Sequence, residues 1–305
     1  MTTKILGTGL NGLVGSRIIE LLQDKYEFEN ISRSTGVDVT NQAQVYTAIS
    51  SSYAPVVIHL TAKTDVDGCE RDKETDILTA KEEGSGQELF KDTSTAWAIN
   101  VVGAKNIVDA CKRTNKKLIY FSTDFVFDGQ KPTGDTYDES DTPNPLNWYG
   151  LTKYKGEDIV LNSGIPYAII RLAYPYGHVF EKKKDFVQAI LSRFQKGESV
   201  SGITDHLFVP TFIDDIAMAL DVIISSNVEG VYHAVGSQAL SPCEASLSIA
   251  RIFGYSESLV QKTTRKEYFK NRALRPYNLT LKNDRINRLG VTMRTFEEGL
   301  KEINQ

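Results

Sequence analysis

The chain has 305 residues, 41% of them hydrophobic and 24% charged, which suits a globular protein with a sizeable core and excludes fibrous and disordered classes. Its 35 basic and 39 acidic residues are interspersed and leave a net charge of -4, so the chain lacks the basic footprint that nucleic acid or anionic lipid would require. Cys69, Cys111 and Cys243 lie far apart with no metal-ligand spacing, and no residue is assigned to a metal; reduced thiols and a cytoplasmic location are expected, with no targeting leader and no membrane span.

Short apolar runs alternate with helical periodicity through the first half, the pattern of βαβ units on a parallel sheet. Lys4-Ile5-Leu6 reads as a first strand, after which Ile18, Ile19, Leu21 and Leu22 fall at helical spacing. A weaker strand follows at 28–31 and a buried one at 56–60. The segment from Asp67 to Ser94, charged and broken by "EEGSGQE", reads as a solvated surface insertion with little helical periodicity, the alternative being a substrate lid or partner contact. A helix over 96–111, a strand over 118–121, a helix over 147–161 and a strand over 167–170 come next. Helices over 185–194 and 213–224, a strand over 230–234, and a helix opening at Ser241-Pro242 complete the reading. The expected fold is α/β, a doubly wound, mostly parallel Rossmann sheet with a smaller C-terminal substrate-binding lobe. Residues 1–170, with segments returning near 205–235, would form the cofactor-binding domain, and 171–305 mainly the interleaved lobe.

"GTGLNGLVG" (residues 7–15) lies between the first strand and helix. Glycines there let a pyrophosphate approach the backbone, and the helix amino end offers it unpaired N–H groups. Gly9, Asn11, Gly12, Leu13 and Val14 are therefore candidate cofactor contacts. After the second strand, Ser32-Arg33-Ser34 carries no acid at the strand end and suits a ribose 2′-phosphate, so NADP (as NADPH) is expected over NAD, which stays open. Asp38 and Val39 would flank the adenine, and Leu60, Thr61, Ala62 and Lys63 would pass under the middle of the cofactor.

The strand ending in "STDFVFDG" (residues 122–129) places Ser122 and Thr123 at the carboxyl edge of the sheet, where open α/β folds bind ligands. Tyr149 and Lys153 stand one helical turn apart on one face. Glycine loop, hydroxyl pair and Tyr-x-x-x-Lys occur in the order of the short-chain dehydrogenase/reductase superfamily, which the chain resembles. In that chemistry an ammonium neighbour lowers the tyrosine pKa so that the phenol can protonate a carbonyl receiving hydride. Lys153 would also hold the nicotinamide ribose, Thr123 and Ser122 would fix the substrate oxygen, and Asn100 would support the backbone near Lys153. His59, His178, His206 and His233 are isolated and read as core or surface residues.

"GLNGLVG", "TAKTDVDGCE", "AINVVGAKNIVDAC", "STDFVFDG", "PLNWYGLTKYKGE", "RLAYPYG" and "RPYNLTL" together resemble the dTDP-4-dehydrorhamnose reductases of the extended branch. The resemblance implies a catalytic trio of Thr123, Tyr149 and Lys153, a sugar end lined by Val66, Asp67, Asp124, Phe125 and Tyr174, and reduction of the 4-keto group of a nucleotide-linked deoxyhexose. Tyr174 stands where the family usually has tryptophan, Lys63 where an aromatic is usual, and the insertion after Asp67 is atypical, so the hexose stays undetermined. The acid pair that dehydratases carry after the catalytic hydroxyl is broken by Phe125. An epimerase with retained NAD and a non-catalytic NADP-binding subunit resembling the methionine adenosyltransferase beta subunit remain alternatives. The expected partner is a nucleotide sugar, with neither nucleic acid nor membrane, and the chain is compatible with a homodimer.

Overall fold

A computed structural model describes residues 2–82 and 92–304. The chain runs β1 (Thr3–Thr8), α1 (Leu13–Leu22), β2 (Tyr26–Ile31), α2 (Gln42–Ser51), β3 (Val56–His59), α3 (Val66–Glu82), a π-helical turn (Ala98–Val102) leading into α4 (Gly103–Thr114), β4 (Lys117–Thr123), α5 (Trp148–Leu161) and β5 (Tyr167–Leu172). It continues through β6 (Pro175–Tyr176), α6 (Phe186–Phe194), β7 (Val200–Ile203), β8 (Thr211–Phe212), α7 (Ile213–Ser225), β9 (Gly230–His233), α8 (Pro242–Ile252), β10 (Val260–Thr263), α9 (Arg265–Tyr268), α10 (Asp284–Asn287) and α11 (Phe296–Ile303).

Six strands form one sheet in the order β2-β1-β3-β4-β5-β9, every pair parallel. Neighbouring side chains on a strand point to opposite faces, and here both faces are covered. Ile5, Ile58, Ile119 and Ile170 pack with α1 and α7 through Ile18, Leu22, Ile216 and Leu220. Leu6, Val57, Leu118 and Ile169 pack on the other face with α2, α4 and α5 through Val45, Ile49, Ile107 and Val160. Strand order reverses at β1, so the crevice between the carboxyl ends of β1 and β3 is where such a sheet takes a ligand.

The C-terminal lobe pairs β7 with β10 and β6 with β8 beside the sheet. Its own core holds Val187, Leu191, Phe208, Ile249, Phe296 and Leu300. Polar caps mark its helices: Asp185 accepts from Gln188 N, and Ser241 and Glu244 form a reciprocal box ahead of Pro242. Among the described residues no helix is long and apolar enough to cross a membrane.

One expectation fails here. The start of the segment taken for a surface insertion is the 17-residue helix α3. Its inward positions include Cys69, Glu70, Asp72 and Asp76, so helical spacing is present but filled largely with acids, which an apolar-period reading passes over. Residues 83–91, with most of "EEGSGQE", lie outside the described residues. The structure also adds α2, capped by the Asn41 side chain, and breaks the 96–111 helix with the π-helical turn that carries Asn100.

Candidate active site

The turn after β1 is shaped for a close approach. Gly9 holds φ at +71°, and a Cβ there would stand 2.9 Å from Thr61 N, so only glycine lets the two loops meet. Gly12 caps α1 without a side chain, leaving the first-turn N–H groups facing outward, with Leu13 and Val14 anchored on the core behind them. Thr8 Oγ1 accepts from Thr61 N (3.2 Å) and lies 2.7 Å from His59 Nδ1, which ties the ends of β1 and β3 together. Leu60 N donates to Thr8 O (3.1 Å), and Ala62 follows in the same loop.

At the far end of this crevice Asn11 Nδ2 donates to Ser34 Oγ (3.5 Å), and Ser32 and Ser34 hydroxyls are 2.8 Å apart. Arg33 is not alone there: its Nε donates to Asp38 Oδ2 (3.0 Å) and its Nη2 to Thr93 O (3.1 Å). An acid thus stands beside the strand end, brought back by the chain rather than placed there by sequence adjacency. Val39 is buried, its carbonyl taken by Asn106 Nδ2 (2.9 Å).

Asn100 has a defined task. It accepts from Lys63 N (2.9 Å), donates to Lys63 O (3.1 Å) and donates to Thr152 Oγ1 (3.0 Å), while Thr152 Oγ1 donates to Tyr149 O (2.9 Å). One amide therefore links the loop after β3 to the helix bearing Tyr149. The Lys63 ammonium itself turns to α3, donating to Asp72 Oδ2 (2.6 Å) and Ser94 O (3.0 Å).

Thr123 ends β4, and Tyr149 stands in the first turn of α5, just after the Asn147 cap and Trp148. The two elements meet because position 150 is glycine; a Cβ there would collide with Phe125 O. Thr123 Oγ1 donates to Asp124 Oδ1 (2.9 Å) and accepts from Phe125 N (3.3 Å), and it lies near enough to the Tyr149 phenol to act on its pKa. Lys153 Nζ is buried, donates to Phe121 O (2.7 Å) and stands 4.3 Å from the centre of the Tyr120 ring.

Burial lowers the Lys153 pKa to about 7, Glu157 opposing. Burial also pushes the Tyr149 phenol well up, with the Thr123 hydrogen bond pulling the other way. The expected lowering of the Tyr149 pKa by its ammonium neighbour is thus reversed: desolvation dominates, and the Lys153 charge is directed at a carbonyl. Asp124 is driven up to about 7 by burial, against hydrogen bonds from Thr123 and the backbone. Ser122 Oγ and Asp124 Oδ2 are buried with no hydrogen-bond partner, polar atoms aimed at whatever occupies this edge.

At the opposite wall Val66 and Asp67 begin α3. Asp67 Oδ1 accepts from Arg275 Nη2 (3.0 Å) and Ala273 N (3.1 Å), bringing the C-terminal segment over the site. Phe125 stacks edgewise on Tyr149 (5.6 Å between centroids) and tilts against Tyr174 (6.3 Å). Tyr174 holds φ at +42°, a strained conformation for a tyrosine, with its hydroxyl 3.5 Å from His206 Nε2. His206 Nδ1 lies 2.8 Å from Pro276 O, and burial keeps the ring neutral with a pKa near 4. His206 is the buried core histidine that the sequence predicts, whereas Arg275, within "RPYNLTL", is a contact that the sequence does not single out. Nothing local marks Arg275, since it meets Asp67 across the fold.

The family described as RmlD substrate binding domain matches the chain over residues 3–86 and 89–305. A dTDP-4-dehydrorhamnose reductase of Aggregatibacter actinomycetemcomitans is 28% identical over 318 residues, covering 98% of this chain and 98% of that protein. A methionine adenosyltransferase 2 subunit beta of Mus musculus is 25% identical over 320 residues, covering 98% of this chain and 86% of its own. Among solved structures, dTDP-4-dehydrorhamnose reductase from Bacillus anthracis str. Ames, in complex with NADP, superposes with a TM-score of 0.86 at 27% identity, covering 100% of this chain and 99% of the other.

Proposed function

The chain belongs to the RmlD substrate binding domain family, and on that premise we propose that it is an NADPH-dependent reductase of the 4-keto group of a nucleotide-linked deoxyhexose. The observation that carries the reading is the approach of Tyr149 to the end of β4, where its ring meets Phe125 and Thr123 acts on its phenol, beside the unpartnered Ser122 Oγ and across β3 from a glycine turn that side chains would block.

The residues present suit a phosphorylated dinucleotide. Glycines at 9 and 12 leave room at the α1 amino end, and Asn11, Ser32 and Ser34 cluster where a ribose phosphate would need donors, with Arg33 next to them on Asp38. When bound, NADPH supplies the hydride that reduces the carbonyl carbon. The chain supplies the rest. Tyr149, kept protonated by burial, gives its proton to the carbonyl oxygen, so ketone plus hydride plus proton becomes the alcohol. Thr123 holds that oxygen in line with the phenol. Lys153, one turn along α5 with its Nζ on Phe121 O, would hold the nicotinamide ribose. The free, buried thiols of Cys69, Cys111 and Cys243 support a reducing, cytoplasmic setting.

Likeness to methionine adenosyltransferase 2 subunit beta keeps a second reading in play, a binding subunit without turnover. Mixing the purified chain with NADPH and a panel of dTDP-, GDP- and UDP-4-keto sugars separates the readings. Consumption of NADPH is the expected result; sugar turnover without consumption marks an epimerase, and binding alone marks a subunit.

A further inference from the structure

The acids of α3 lie outside the cofactor turn and the reacting trio, yet they end on the elements that carry both. Asp72 Oδ2 accepts from Lys63 Nζ (2.6 Å) and Ala96 N (2.8 Å). Asp76 Oδ2 accepts from Trp148 Nε1 (2.7 Å) and Trp97 N (3.1 Å), and Glu70 Oε2 accepts from Trp148 N (2.8 Å). Ala96 and Trp97 open the helix that holds Asn100, and Trp148 is the first residue of α5, directly before Tyr149. Carboxylates at two helix amino ends are well placed against the helix dipoles.

Asp76 stands out among them. It is 1% exposed, and its Oδ1 has no hydrogen-bond partner. A buried carboxyl with an unpaired oxygen is costly, and an apolar side chain would avoid that cost. What the acid provides that an apolar residue cannot is one oxygen shared by two N–H groups from two different helices. The rings of Trp97 and Trp148 stack over this point, 5.8 Å apart and 26° from parallel.

We propose that Asp76 is a positioning residue for Tyr149: by holding the Trp148 indole and the Trp97 amide on one oxygen, it locks the first turn of α5 against the Asn100 helix and so sets where the phenol stands relative to Thr123. This role rests on the reductase reading for its effect on turnover. Displacing a reacting group by about 1 Å can cost about a hundredfold in rate, so a loosened first turn acts on kcat rather than on a cofactor turn at the other end of the sheet edge.

The test is a double-mutant cycle of Asp76→Leu and Trp148→Phe, the first removing the acceptor at similar volume and the second removing the indole N–H while keeping a ring in place. Each single variant is expected to lower kcat about tenfold or more, with the Kd for NADPH, titrated directly, within about twofold of wild type. The double variant should fall no further than the worse single one, because both cut the same bond. Hydrogen exchange in 148–153 should quicken in both single variants while that of β4 stays unchanged. The chain has only two tryptophans, both at this point, so its intrinsic emission should shift in Asp76→Leu. Losses that multiply in the double variant, a kcat within twofold of wild type in either single one, or unchanged exchange in 148–153 would overturn the role. If Asp76→Leu does not fold, Trp148→Phe carries the kcat and exchange tests alone. Exchange needs no sugar, so a wild-type chain that turns nothing over defeats the reductase reading, while the lock on α5 is judged by exchange.

Discussion

Replacing Asp124 with asparagine isolates the one carboxyl in the site that burial drives toward neutrality. Its pKa in the folded chain is about 7, against an ordinary 3.8. Because the folded value is the higher, the protonated carboxyl contributes stability in full below about pH 4 and loses it as pH rises through 7. A gap of that width corresponds to about 4 kcal/mol. Asparagine keeps the acceptor that Thr123 Oγ1 uses and does not titrate. Whatever constant offset the substitution brings, the stability of Asp124→Asn relative to wild type should therefore climb by up to about 4 kcal/mol between pH 4 and pH 7 and then level off. Urea unfolding of both proteins at unit pH steps from 4 to 8, with matched m-values, reads this difference directly. Parallel stability curves for the two proteins would refute the argument that desolvation controls this carboxyl.

Three further outcomes follow from named contacts. Arg171 donates to both Glu157 oxygens (2.9 and 2.7 Å) in a buried pair, so Glu157→Gln strands a guanidinium and should cost about 3–5 kcal/mol, read as a fall in Tm of order 10 °C. Arg33→Ala should raise the KM for NADPH about ten- to hundredfold and leave that for NADH nearly unchanged, the range of a lost charged hydrogen bond; equal effects on both cofactors would remove Arg33 from phosphate recognition. In Lys153 the folded pKa of about 7 is the lower one, so the unfolded chain binds the extra proton and wild-type stability should rise from pH 7 toward 10. Lys153→Met should lack that rise in thermal melts and be more stable at pH 7, at the expense of turnover.

The contrast between what was and was not legible has physical causes. β3, β4 and β5 were readable because a strand covered on both faces must be apolar at every position, as Val56, Val57 and Ile58 are. The turn after β1 was readable because Gly9 needs a conformation and a clearance that other residues lack. Helix α3 was not, since its inward face is carried by Glu70, Asp72 and Asp76, whose partners lie on other helices. Arg275 escaped because it meets Asp67 across more than two hundred residues. The direction of the Tyr149 pKa escaped for a different reason: spacing reveals the lysine neighbour, whereas desolvation depends on Cys69, Phe125 and the other side chains that close over the phenol.

The most direct measurement is on Tyr149→Phe, which removes one hydroxyl and leaves the ring against Phe125. Rapid mixing with NADPH and the 4-keto sugar that wild type reduces should show cofactor bound with near wild-type affinity and its consumption slowed at least a thousandfold, the scale of a lost general acid together with its place in the site. Consumption at a rate within tenfold of wild type would contradict the claim that this phenol delivers the proton.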